Sequence, residues 1–297
     1  MTNTNKSCLF MLYLIINYFF MILIFPTILA AFPMSAIFQL ILNQTLLFGI
    51  PSFIFLKIFK SDIKSTLSIN PLGLKNAVII IVISIFIQPF MLLLSALSTL
   101  IFPNTVVDAI LSQPIEVVII GMALTPAIFE ELAFRGIIYG TLKSTNTFVK
   151  SALISGLFFG IMHFNGQQFL YAFFSGVLFC YIVKRTNSIF STVLMHFTIN
   201  ASQGILAFIQ TYKYPQNQMS AHTALNTMSN IYYLFLPIIV LCLISLPVIY
   251  LAIKNLKPLV SDENINSSLL KKERTISFPF VCIILIYLSY IILSLVT

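Results

Sequence analysis

Between Pro126 and Gly136 two carboxylates and a guanidinium, those of Glu130, Glu131 and Arg135, stand in a run otherwise as apolar as lipid. A charged side chain at the centre of a bilayer costs roughly 2.5–3.5 kcal/mol on insertion scales, so three in so short a stretch need a physical reason. On a helix Glu131 and Arg135 are four apart, with the acid N-terminal to the base, and can neutralise each other as a structural ion pair. Glu130 sits about 100° round the helix from Glu131, and its own neighbour four residues on is Phe134, which carries no charge. Glu130 therefore has no local counter-ion. Burial in hydrocarbon makes such a carboxylate hold its proton more firmly, the condition for a general base that works near neutrality.

Two further polar insertions interrupt apolar runs. His163 follows Phe159 by four residues, and Asn200 follows His196 by four, so each pair shares a helical face. Of the 3 histidines, these two fall in apolar stretches. The third, His222, falls among Ser, Ala and Thr and is read as solvated.

These groups need long apolar helices to hold them. The chain is 59% hydrophobic and only 8% charged over 297 residues, where a soluble domain would carry about 25% charged residues. The fold class is therefore all-α, a polytopic transmembrane helix bundle. Apolar runs suited to crossing, at about 20 residues each, fall near 8–31, 35–57, 75–102, 115–142, 148–164, 168–183, 188–210, 231–253 and 276–296. That makes about nine spans, or eight if the short pair 148–164 and 168–183 is not two crossings. The first run, from Cys8 to Phe25, exceeds the roughly 7–15 residues of a signal-peptide core and is expected to stay as a helix.

With the N-terminus in the cytoplasm and nine crossings, every Lys and Arg except Lys213 and the intramembrane Arg135 falls on the inner side. The positive-inside bias thus sets orientation and parity. The net charge of +8 comes from single bases scattered between spans, which excludes a basic stripe for nucleic acid. The polar loops 211–230 and 258–274 are read as solvated connections. Cys8, Cys180, Cys242 and Cys282 stand far apart in apolar segments and read as small buried hydrophobes. The chain divides into N-terminal spans (1–114), a polar-studded central group (115–210) and C-terminal spans (211–297).

Depth ties the polar groups together. At ~1.5 Å per residue, Glu130 lies ~20 Å from the inner end of its helix. On the same scale His163 lies ~20 Å, His196 ~14 Å and Asn200 ~20 Å from theirs. Gly156 and Gly160 form a Gly-x-x-x-Gly that, with Ser151 and Ser155, allows another helix to approach closely. Pro126 cannot donate to the carbonyl four residues back and is expected to kink the helix one turn before Glu130. Asn43, Gln44, Gln88 and Pro89 are expected at kinks or helix–helix hydrogen bonds.

Glu130-Glu131-x-x-x-Arg135, Phe159-x-x-x-His163 and His196-x-x-x-Asn200 resemble, in order, the three motifs of the CPBP family, the Abi or CAAX prenyl protease 2-related intramembrane proteases. The resemblance covers about 115–210. It implies peptide-bond hydrolysis within the membrane, on a membrane-inserted or lipid-modified peptide. By it, Glu130 would activate a water that His163 helps to hold. His196 and Asn200 would stabilise the oxyanion, and Glu131 and Arg135 would be structural. It also raises a metal, zinc or another divalent ion, with Glu130, His163 and His196 as the ligands. The absence of a His-Glu-x-x-His zinc motif favours no metal cofactor. The partners implied are membrane lipid and a membrane-bound peptide, in a bacterial plasma membrane.

Two other classes of function compete. A non-catalytic scaffold, such as a bacteriocin-immunity protein binding a peptide, would keep the fold and tolerate loss of Glu130. A proton-coupled transporter would repeat its interrupted helices in two halves, whereas the polar residues here cluster in one.

Overall fold

The computed structural model describes residues 1–103, 110, 113–213, 228–260, 273–274 and 276–296. These are helical or in short connections, with no strand among the described residues. The helices are α1 (Asn3–Ala31), α2 (Ala36–Ile58), the short α3 (Ile63–Leu67) and α4 (Leu74–Thr99). They continue with α5 (Val117–Lys143), α6 (Phe148–Met162), α7 (Gly166–Thr186), α8 (Ile189–Lys213), α9 (Met228–Asn255) and α10 (Phe278–Val296). Among the described residues eight are long and apolar enough to cross a membrane, and the chain is an integral, multi-pass membrane protein. The two that fall short are α3, at 5 residues, and α6, an apolar helix of 15 residues. His222, most of the loop 211–230 and most of the loop 258–274 lie outside the described residues.

The ninth expected span is thus a short helix closely paired with a long one. Gly156 and Gly160 of α6 face Val177 and Phe169 of α7, so the two run antiparallel. A Cβ on Gly176 would stand 2.6 Å from the Cα of Gly156. Close approach of the two backbones, with small residues on both sides, is what holds helices together where lipid offers no hydrophobic drive. Outward faces are greasy: Leu23 is 73% exposed and Phe53 67%, as lipid contact requires.

The polar connections assigned to one side by charge do meet at one end of the bundle. Asn3 Nδ2 donates to Ser144 Oγ at 2.8 Å and Lys143 Nζ to Ser68 Oγ at 2.8 Å. Asn70 Nδ2 donates to the Asn187 carbonyl at 2.8 Å, and Asn76 Nδ2 to the Lys257 carbonyl at 2.8 Å. Lys150 Nζ donates to the Glu273 carbonyl. These ties fix the ends of α5, α6 and α8, the helices that carry the polar motifs.

Helix α5 is not uniformly α-helical. Val117–Leu124 and Leu132–Tyr139 are π-helical, flanking an α-helical turn at Thr125–Glu131. In place of a break at Pro126 the helix widens around it. Thr125 supplies a donor, its hydroxyl bonding the Ile120 carbonyl at 2.7 Å. Wide turns of this kind change which way the next side chains point and are frequent at functional sites.

At Gln88-Pro89 the expectation holds. Helix α4 is interrupted at Ile87, and Gln88 Nε2 donates to Ser202 Oγ of α8 at 2.7 Å. Cys8, Cys180 and Cys242 are buried, Cys282 is partly so, and all are free thiols.

Candidate active site

Glu130 and Glu131 leave α5 in different directions, as a helix requires of consecutive residues. Glu131 is fully buried. Its Oε1 lies 3.1 Å from Arg135 Nη1, one turn later. The Arg135 guanidinium is sandwiched between aromatic rings, 4.2 Å from the centroid of Phe159 on α6 and 4.8 Å from that of Phe179 on α7. Two desolvated cation–π contacts, each worth up to about 2 kcal/mol, offset part of the cost of burying the charge. Its nitrogens find no hydrogen bond of good geometry among the described residues. Charge and ring faces hold Arg135.

Glu131 has a second partner that its spacing did not suggest. His196 Nδ1 of α8 lies 3.0 Å from the same Oε1. The carboxylate can only accept, so Nδ1 carries the hydrogen, which fixes the ring and leaves Nε2 for a ligand. Nothing local in the sequence links residues 131 and 196; only their similar depth hinted at proximity.

His163 stands at the C-terminal end of α6. Its Nδ1 is 2.8 Å from the Phe159 carbonyl, so again Nδ1–H is the donor and Nε2 remains. Phe164 follows in the left-handed region at φ 42° and ends the helix. It is stacked on Tyr18 at 4.8 Å and set edge-on to Tyr290. Asn165 caps α7, its Oδ1 accepting from Gln167 N at 2.9 Å. This tight turn fixes the distance between His163 and the α7 wall of the site.

Glu130, His163, His196 and Asn200 all line one cavity of about 230 Å³. An acid, two imidazoles and a carboxamide from three helices converge there. Residues 112–202 match the family model of the type II CAAX prenyl endopeptidase Rce1-like proteins.

The Rce1-like segment contains all six charged and polar motif residues, and the resemblance read from the three motifs is matched by this independent comparison. Similar curated proteins agree. Over 106 residues the chain is 29% identical to a Bacillus subtilis protein named as membrane peptidase YdiL, covering 36% of this chain and 43% of that one. Over 116 residues it is 28% identical to CAAX prenyl protease 2 of Methanococcus maripaludis, covering 32% of this chain and 43% of that protein. The chain spans less than half the length of either relative. No solved structure gives a significant match.

Among the described residues no group of three or more His, Cys, Asp or Glu side chains is close enough to hold an ion. Glu130, His163 and His196 share a cavity without forming the compact ligand set that zinc takes.

Sequence reasoning missed three features of the Rce1-like segment's surroundings. The bond from Glu131 to His196 is one, and the ring sandwich around Arg135 is another. The third is that Asn43 and Gln44 of α2 wall a second cavity on Glu130 and His163.

Proposed function

We propose that this chain is an intramembrane endopeptidase that hydrolyses a peptide bond in a membrane-inserted or lipid-modified peptide. One observation carries the reading: Glu130, His163, His196 and Asn200 line a single cavity within the helix bundle.

In this account a water sits between Glu130 and the Nε2 of His163. Glu130 takes its proton as the oxygen bonds to the peptide carbonyl carbon, and the carbonyl electrons move to oxygen. The resulting oxyanion faces the Nδ2 hydrogens of Asn200 and the Nε2 of His196. In its imidazolium form His196 donates from both nitrogens, one to Glu131 and one to the oxyanion. Fixed donors at a developing oxyanion, in a site of low dielectric, each contribute several kcal/mol. When the intermediate collapses the carbon–nitrogen bond breaks, and Glu130 returns its proton to the leaving amine.

Glu131 and Arg135 keep His196 in place rather than touching substrate. The basic connections gathered at one end of the bundle face the cytoplasm of a bacterial plasma membrane. The name of the relative CAAX prenyl protease 2 suggests the first substrate to try, a peptide ending in a prenylated cysteine and three further residues. An unmodified apolar transmembrane peptide is the second. Incubation of the reconstituted chain with each in ¹⁸O-water tests the reading. Hydrolysis leaves one ¹⁸O in the new C-terminal carboxyl group, and intact peptide in both cases would refute it.

A further inference from the structure

The reaction above uses one side of Glu130 and His163. Both residues also line a second cavity, of about 200 Å³, on the side of α2. Its volume is several times the roughly 30 Å³ that a water occupies in the liquid, so it is more than a water site.

The α2 wall of this cavity is polar where a lipid-facing helix would be apolar. Asn43 and Gln44 line it together with Leu47, Phe48 and Met162. Gln44 Oε1 is buried without a hydrogen-bond partner among the described residues. Such an oxygen destabilises the empty site and is relieved by a donor. Directly after Gln44, α2 widens into a π-helical stretch at Thr45–Gly49. Asn17 of α1 fixes that stretch, its Nδ2 reaching the carbonyls of Leu46 at 3.0 Å and Leu47 at 3.3 Å. A helix irregularity held from a neighbouring helix, beside a carboxylate and an imidazole, has the form of a functional bulge.

We propose that this second cavity is a subsite for the peptide main chain beside the bond to be cut, with Gln44 Oε1 accepting a backbone N–H. The proposal rests on the hydrolytic reading of Glu130. A lipid tail has no donor for Gln44. An extended peptide in hydrocarbon, by contrast, brings N–H and C=O groups that must all be paired. Asn43 offers a carboxamide to the neighbouring carbonyl, and Leu47, Phe48 and Met162 offer an apolar wall to a side chain. The substrate chain then passes over Glu130, its reacting carbonyl in the first cavity and its flanking residue in the second.

The test is a double-mutant cycle between protein and peptide. Full-length Glu130→Gln protein in lipid nanodiscs binds the prenylated peptide, or the unmodified transmembrane peptide, without consuming it. Each probe is made in versions carrying one backbone N-methyl group at successive positions. One N-methyl position is expected to weaken binding about tenfold. Adding Gln44→Met should weaken binding of the unmethylated probe by a similar factor and abolish the penalty at that position. An unchanged penalty in the two proteins, no penalty anywhere, or no binding of either probe overturns the subsite. The N-methyl series in protein with native Gln44 needs no second substitution, so a poorly folded Gln44→Met variant does not remove the test. The two readings fail separately. Coupled binding with no cleavage by the unsubstituted protein sinks hydrolysis and leaves the subsite. Cleavage with the same KM in Gln44→Met sinks the subsite and leaves hydrolysis.

Discussion

His196 Nδ1 lies 3.0 Å from Glu131 Oε1, the oxygen that also lies 3.1 Å from Arg135 Nη1. One buried carboxylate oxygen therefore joins the cation of its own helix to an imidazole 65 residues away. Glu131→Gln should damage stability and chemistry together. It leaves Arg135 buried without a counter-ion, at a cost of about 3–5 kcal/mol, and frees the His196 ring to turn. The double variant Glu131→Gln, Arg135→Met should recover much of the thermal stability in detergent, since no charge is left unpaired, yet recover little cleavage. Equal recovery of both would deny Glu131 its hold on His196.

Arg135→Lys separates charge from shape. A lysine keeps the charge but cannot present a flat cation to Phe159 and Phe179 at 4.2 and 4.8 Å. A loss of about 1–2 kcal/mol is expected, read as a lower melting temperature with the variant still folded.

Gly176→Ala tests the helix pairing that positions His163. The added methyl would meet Gly156 Cα at 2.6 Å, backbone that cannot give way as a side chain can. Overpacking of this kind costs about 1–3 kcal/mol. The variant should melt earlier, and what folds should cleave more slowly. Ala at Gly73, on the α3–α4 connection, should leave cleavage by the folded fraction unaffected, although its φ of +75° disfavours a side chain.

At the polar end, Glu273 caps α1 from a distant part of the chain. Its two carboxylate oxygens accept from Asn3 N at 3.1 Å and Thr4 N at 2.7 Å. Partial burial alone would push its pKa up, but the hydrogen bonds from Thr4 and Asn3 outweigh that and hold it below the usual glutamate range. The contribution is therefore present above the unfolded value of about 4.3 and is lost as pH falls through the lower folded value. Because the group is largely solvated, only about 0.5 kcal/mol is expected. Melting curves of the native protein and Glu273→Gln should separate above about pH 5 and converge as the pH is lowered.

How much of this could be read in the chain follows from the range of each interaction. The bundle was legible, since hydrocarbon thickness imposes long apolar runs whatever their partners. The Glu131–Arg135 pair was legible too, because it is one helical turn. So was the gathering of Glu130, His163, His196 and Asn200, through depth on alternating helices and through motif spacing. The His196–Glu131 bond was not, since its partners are set by how α5 and α8 are rotated. The stretch directly after Glu131, Leu132–Tyr139, is π-helical, and no residue there announces it. Gln44 shows the same limit. It was expected at a kink or a helix–helix hydrogen bond; α2 does widen directly after it, while its Oε1 has no partner among the described residues and the side chain lines the cavity of Glu130.

The most direct test compares native protein with Glu130→Gln in the same lipid, each incubated with the prenylated and the transmembrane peptide, with products read by mass spectrometry. The account expects cleavage of at least one peptide by the native chain and a fall of at least ~100-fold in Glu130→Gln, with unchanged melting temperature. Cleavage by Glu130→Gln at the native rate and the same bond would contradict it.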